Sequence, residues 1–324
     1  MEFAGKIAVV TGGGTGMGRE LVRQLAAARC QVATCDVSAD NLAETAALVA
    51  AESPGVTVST IVADVSDENQ LIAFRDHVIA THESAHIHLL FNNAGIGGGG
   101  SFVLDDRAEW EQVFNVCWGG VYLGCRTFLP LLQAAPEGHI VNTSSVNGFW
   151  ATLGGRAHTA YSAAKFAVKG FTEALITDLR LYAPHLKASV VMPGHIGTDI
   201  AFNSGAYFGR DPKELSDEHL AQMRERFAAD GLDMSGASDE DLRNTAVTMA
   251  AAFRDNAPLS AADAAGIILE GVKAGRWRIL VGDDAQRLDE LVREDPERAY
   301  EPDFMDRLTQ ERVFDNLAVD APPE

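Results

Sequence analysis

A chain of 324 residues with 47% apolar side chains can build one large α/β domain with helices on both faces of a sheet, or two smaller units. Its formal charge of −20, from 46 acidic against 26 basic side chains, would be repelled by phosphate backbones and anionic membrane surfaces, which argues against nucleic acid and membrane partners. The four cysteines have neither zinc spacing nor disulfide density, no apolar run nears the roughly 20 residues of a membrane span, and the N-terminus (MEFAGKIAVV) carries no export pattern, so a reducing cytoplasm is expected.

The chain opens on the apolar run Ile7-Ala8-Val9-Val10, which reads as a buried strand, followed by TGGGTGMG at 11–18. Residues 19–25 then take up apolar spacing of helical period. Strand, glycine-rich turn and helix make the first βα unit of a dinucleotide-binding fold. Its glycines let the backbone approach a pyrophosphate, which the positive end of the helix faces. Gly12, Thr15, Gly16, Met17 and Gly18 are the cofactor-binding candidates of this turn.

A second strand is expected at 31–35, closed by Asp36, and a helix at 38–51 with Ser38 as a cap. A β-branched strand at 57–62 and a helix at 67–81 follow. The fourth strand, 88–91, ends at Asn92-Asn93-Ala94-Gly95. A long helix at 106–132 carries Trp110, Phe114, Val121 and Phe128 on its apolar side; a strand at 139–143, a helix at 159–181 and a strand at 188–192 come next. The alternation breaks over 198–260, where charged helical turns mix with Phe202, Tyr207, Phe208, Met223, Phe227 and Met234. It returns with a helix at 261–274 and a strand at 277–281. Beyond Gly282 runs an acidic, partly helical tail whose last residues, 319–324, are expected to be loose. The repeated βα units predict a doubly wound parallel sheet of Rossmann type with about seven strands. The expected organisation is one domain over 1–282, with 199–259 inserted as a substrate lid, and a C-terminal extension over 283–324.

Tyr161 and Lys165 lie four residues apart in YSAAK near the start of a predicted helix, which stacks them on one face. A free phenol, with a pKa of about 10, is a poor base at neutral pH. A neighbouring ammonium favours the phenolate, so a tuned Tyr161 could give a proton to a forming alkoxide or take one from an alcohol.

With these motifs in order, the sequence resembles the short-chain dehydrogenase/reductase family, in the branch with Thr-Gly-x-x-x-Gly-x-Gly. The resemblance spans roughly 6–281: TGGGTGMG, Asp64-Val65, NNAG at 92–95, Asn115, Ser144-Ser145, YSAAK, and Pro193-Gly194 followed by Thr198. It implies that Tyr161 is the general acid/base, and that Lys165 lowers its pKa and bonds the nicotinamide ribose. Ser145 would hold the substrate oxygen, while Asn115 would kink its helix and support a water linked to Lys165. Asp64 and Val65 would flank the adenine. Asn92, Ala94 and Gly95 would bind cofactor while steadying the sheet, Pro193 and Gly194 would also bind cofactor, and Ile196 and Thr198 would position the nicotinamide carboxamide. Ser144 remains a second candidate for the catalytic hydroxyl, because the loop 146–158 is longer than the family usually carries.

Asp36 stands where an acid can bind the adenosine ribose 2′-OH and repel a 2′-phosphate. Capping of the next helix is its other reading. No arginine stands beside it in sequence, so NAD is expected. The activity implied is interconversion of a secondary alcohol and a ketone by direct hydride transfer. The alternative is a nucleotide-sensing regulator that keeps the fold and lacks turnover. No metal is expected, since the nine histidines show no recurring ligand spacing, and Asp283-Asp284 reads as a solvated turn.

The apolar residues of 199–259, with Met249, and Phe149, Trp150 and Leu153 of the long loop suggest a large pocket for a bulky apolar substrate. A small core of the insertion's own is the other possibility. The long helices resemble those that form dimer contacts in the family, so a homotetramer, or a homodimer, is expected, with the tail at a subunit contact or packed on its own chain.

Overall fold

The computed structural model describes residues 1–104, 106–153, 156–229, 231–311 and 313. Its centre is a seven-stranded parallel sheet. In chain order the strands are β1 Ile7–Thr11, β2 Gln31–Asp36, β3 Val58–Val62, β4 Leu89–Asn92, β5 Gly138–Thr143, β6 Leu186–Pro193 and β7 Arg278–Val281. They lie in the order β7-β6-β5-β4-β1-β2-β3, each pair parallel. Both faces are covered, so β1, β4 and β5 are buried along their whole length. Strand order reverses between β1 and β4. The carboxyl ends at that point open the crevice in which such sheets take ligands.

The helices are α1 Gly16–Ala27, α2 Ala39–Glu52, α3 Glu68–His82, α4 Arg107–Phe114, α5 Gly120–Gln133 and α6 Thr159–Tyr182, then α7 Ile200–Tyr207, α8 Asp217–Ala229, α9 Asp239–Asp255, α10 Ala261–Lys273, α11 Asp283–Glu294 and α12 Pro302–Gln310. On one face Leu21, Val22 and Leu25 of α1 pack with Ile268 and Leu269 of α10 over the sheet. On the other, Leu71, Phe74 and Val78 of α3 meet Val121 and Phe128 of α5 and Val168 of α6. Polar side chains set the starts: Ser38 accepts from Asn41 N at 3.3 Å, Asp67 takes the amides of Asn69 and Gln70, and Ser238 and Asp241 form a capping box. Among the described residues no helix is long and apolar enough to cross a membrane.

The expected helix 106–132 is not continuous. A π turn, Asn115–Gly119, separates α4 from α5. The inserted residue rotates the following helix, so that Val116 and Cys117 face the core and the Asn115 side chain is exposed.

After β7 the chain packs back on the loop that follows β5. Ala285, Leu288 and Leu291 of α11 and Phe304 and Leu308 of α12 close a separate core on Val146 and Trp150. Trp150 is 0% exposed and its Nε1 donates to Ala299 O at 2.7 Å; Tyr300 Oη accepts from Ala151 N at 3.0 Å. Trp150 and Phe149 are therefore not in a substrate pocket, which corrects the expectation from their apolar bulk. The Leu153 side chain and residues 319–324 fall outside the described part of the chain. Met223, Phe227 and Met234 likewise pack with Leu215, Leu220 and Leu242, so much of the insertion's apolar content is a small core of its own. All four cysteines are buried and free. Burial pushes the thiols of Cys30, Cys35 and Cys125 up to about 12, which leaves them inert.

Candidate active site

The site begins where β1 and β4 end side by side. Thr11 Oγ1 accepts from Asn93 N at 3.0 Å and Ala94 N at 3.1 Å, and Asn93 Nδ2 donates to Thr11 O at 3.1 Å. The two motifs are thus tied into one floor. Gly18 belongs to the fit, because a β-carbon there would stand 1.9 Å from Gly12 O. Thr15 is the N-cap of α1 yet makes no side-chain capping bond, so the first amides of the helix are open to an anion.

Asp36 closes the glycine turn from β2. Its Oδ2 accepts from Gly14 N at 3.0 Å and its Oδ1 from Ser38 N at 3.1 Å, while Ser38 itself caps α2. One arginine, invisible in local sequence, does approach: Arg19 donates to Gly14 O at 2.8 Å, but it is held by Glu44 at 2.7 Å.

A cleft of about 670 Å³ lies over this floor. Met17, Asn93, Gly95, Ser145, Tyr161, Lys165, Pro193, Gly194, Ile196 and Thr198 line it together. Gly12, Thr15, Gly16, Gly18 and Asp36 stand along the glycine turn outside that lining. Asn92 is 2% exposed and turned into the sheet, where its Nδ2 donates to Asn142 Oδ1 at 2.8 Å, so its part is structural. Asn115 does not reach the cleft; it contributes the π turn.

Tyr161 sits in the first turn of α6, one turn before Lys165. The Lys165 ammonium, 3% exposed, lies 5.3 Å from the Tyr161 ring centroid and donates to Thr143 O at 3.0 Å. Burial raises the Tyr161 pKa above the ordinary value for a phenol. Lys165 and a hydrogen bond with Ser145 pull the other way without overcoming it. This corrects the expected net lowering: Lys165 opposes the cost of burial rather than producing a phenolate outright.

The neighbouring serines are separated by their partners. Ser144 Oγ donates to Lys165 O at 2.8 Å and is spent on fixing α6. Ser145 caps the short turn Val146–Gly148, accepting from Asn147 N at 3.2 Å, and faces Tyr161.

Helix α7 borders the cleft and is bonded to the elements around it. Asn203 Nδ2 donates to Thr15 Oγ1 at 2.9 Å, Gly97 N to Ser204 Oγ at 2.8 Å, and Tyr207 Oη to Asp64 Oδ2 at 3.2 Å. Helix α7 therefore bridges the glycine turn and Asp64, two residues beyond β3. Of the bulky residues expected in the pocket, Phe208 and Met249 line it; Phe202 instead lies under the Arg254 guanidinium at 5.9 Å, and Tyr207 is the latch on Asp64. Phe253, Asn147, His158, His195 and Arg210 are among the further lining residues, and were missed. Phe253 was within reach, standing four residues after Met249 on the same face of α9.

The family profile described as short chain dehydrogenase matches residues 6–206. SadH of Mycobacterium tuberculosis, named as an oxidoreductase, is 34% identical over 295 residues, covering 90% of this chain and 91% of that protein. The 3-alpha-(or 20-beta)-hydroxysteroid dehydrogenase of the same organism is 30% identical over 255 residues, covering 74% of this chain and 94% of that protein. Among solved structures, a short chain dehydrogenase/reductase from Burkholderia phymatum in complex with NAD is 30% identical with a TM-score of 0.74, covering 93% of this chain and 98% of that one. With the glycine turn, the seven-stranded sheet and Tyr161 and Lys165 in one cleft, this chain belongs to the short-chain dehydrogenase/reductase family.

Proposed function

We propose that the protein is an NAD-dependent oxidoreductase that interconverts a secondary alcohol and a ketone, with a bulky, mostly apolar substrate. The observation that carries this reading is the meeting of Ser145, Tyr161 and Lys165 in a cleft walled by Phe208, Met249 and Phe253. A bound nicotinamide supplies or accepts the hydride. The open amides of α1 suit its pyrophosphate, Asp36 the adenosine ribose, and Asp64 and Val65 the adenine side. Lys165 would bond the nicotinamide ribose, and Ile196 and Thr198 would hold the carboxamide. Ser145 donates a hydrogen bond to the substrate oxygen, and Tyr161 gives it a proton in reduction or removes one in oxidation. Asn115 keeps the role of bending its helix.

A panel of alcohols and ketones followed at the nicotinamide absorbance should show the best turnover with alicyclic, aromatic or steroid-like compounds. The hydroxysteroid dehydrogenase among the relatives supports that choice. Turnover confined to small polar alcohols would sink it.

NAD should bind much more tightly than NADP. Asp36→Ala should erode the difference, because it removes the carboxylate that repels a 2′-phosphate while Arg19 stays paired with Glu44. Equal affinities for the two cofactors before any substitution would end this assignment.

We further propose a cytoplasmic homotetramer, or homodimer, that buries the outer faces of α5 and α6, where Tyr122 and Phe166 are exposed. The four unpaired thiols fit a reducing compartment. Light scattering should give a mass of at least a dimer, and a monomer mass at working concentration would refute the assembly.

A further inference from the structure

The pair Asp283-Asp284 is not the solvated turn that its sequence suggests. Asp283 is exposed, but Asp284 turns inward from the first turn of α11 and is only partly accessible. Its Oδ2 accepts from His195 N at 2.6 Å and its Oδ1 from Ala285 N at 2.8 Å. Among the described residues no basic side chain pairs with it. The carboxylate lies directly on the backbone of the cleft wall: a β-carbon at Gly194 would stand 2.3 Å from both of its oxygens. Gly194 is thus required by the approach of Asp284, which comes from a segment beyond the family match at 6–206.

The wall it touches is tied to β7, to α9 and to the strand pair that follows. Gly194 N donates to Val281 O at 3.0 Å, so two successive amides of this segment are held from the β7 side, one by β7 and one by Asp284. The His195 ring, 3% exposed, is fixed by its Nε2 to Phe253 O at 2.6 Å, which ties the same segment to the lid helix α9. The chain then runs straight into Ile196 and Gly197, which pair with Leu259 and Ser260. Pro193, Gly194, His195, Ile196 and Thr198 all line the cleft. Without the Asp284 carboxylate, the buried His195 amide loses its acceptor, and the Gly194–His195 peptide is free to rotate into the space left behind.

We propose that Asp284 is a positioning residue for the nicotinamide end of the cofactor cleft, setting the Pro193–His195 backbone from the C-terminal segment. This rests on the cofactor reading above, and predicts a defect confined to one half of the dinucleotide. The test is a pair of titrations, with NADH and with ADP-ribose, which shares every group except the nicotinamide. It is run on the unaltered protein, Asp284→Ala, Asp284→Asn and the exposed neighbour Asp283→Ala, with melting temperatures for each.

In Asp284→Ala the affinity for ADP-ribose should stay within about twofold, while the advantage of NADH over ADP-ribose falls about tenfold. Asp284→Asn, whose amide oxygen can still accept from His195 N, should recover part of that advantage, and Asp283→Ala should change neither ligand. A folded Asp284→Ala protein with an undiminished NADH advantage would overturn the assignment. So would equal losses for both ligands, which would mark a general packing defect. Binding of neither ligand by the unaltered protein would overturn the cofactor reading and this inference with it, an outcome distinct from the other two.

Discussion

Tyr161→Phe should lower turnover by about 10²-fold or more while NADH still binds. The substitution removes one oxygen and leaves the ring in place, against His158 at a centroid distance of 6.1 Å and beneath Lys165. Lys165 keeps its bond to Thr143 O, so the floor of the cleft is unchanged. Steady-state rates beside an NADH titration separate the two effects, and near-normal turnover would mean that another group handles the proton. The pH dependence has a definite sign. Burial holds the phenol above its ordinary pKa, so at neutral pH Tyr161 carries its proton and is ready to donate to a carbonyl. Ketone reduction should therefore run at pH 7 and decline as pH approaches the Tyr161 pKa from below, whereas alcohol oxidation should rise over the same range as phenolate accumulates. A protein that binds NADH yet turns over no compound at any pH is a nucleotide sensor, and Tyr161→Phe would then have nothing to lower.

The parts of this site that sequence made legible are those built from neighbours in the chain. The glycine turn is local: strand, turn and helix follow one another between Ile7 and Ala27, and the periodicity changes at the boundary. Tyr161 and Lys165 share a helix face because four residues make about one turn. Choices that depend on tertiary partners were not legible. Ser144 and Ser145 differ in role because the Lys165 carbonyl takes one hydroxyl and leaves the other to the cleft, and that carbonyl belongs to a different element. Arg19 stands only five residues from Gly14, but its pairing with Glu44 depends on α2, a different element. The π turn at Asn115–Gly119 escapes a helical pattern, because a single inserted residue shifts the phase without breaking the run, and only the family resemblance pointed to a kink at Asn115.

Apolar bulk misled most clearly in the loop after Ser145, and the corrected position of Trp150 carries the second large prediction. A loop rich in Phe and Trp can face a ligand or a partner segment, and nothing in its own sequence decides between them. Here the partner is α11 and α12, about as far away along the chain as it can be, and Trp150 is fully buried against Ala285, Leu288 and Phe304. Trp150→Ala should cost about 3–5 kcal/mol, because it opens a large cavity and leaves Ala299 O without its donor. Denaturant unfolding should show this as a lower midpoint. Removing residues after 282 should do more, since it uncovers Val146 and Trp150 together and withdraws Tyr300 from Ala151 N. Val146 directly follows Ser145, so disorder spreading from the uncovered loop reaches the hydroxyl assigned to hold the substrate oxygen. A Trp150 lining the substrate pocket would behave in the opposite way: the midpoint would hardly move, and only the KM for bulky substrates would change. An unchanged midpoint with a selective rise in KM would therefore return this side chain to the cleft and remove α11 and α12 from any part in holding the loop after Ser145.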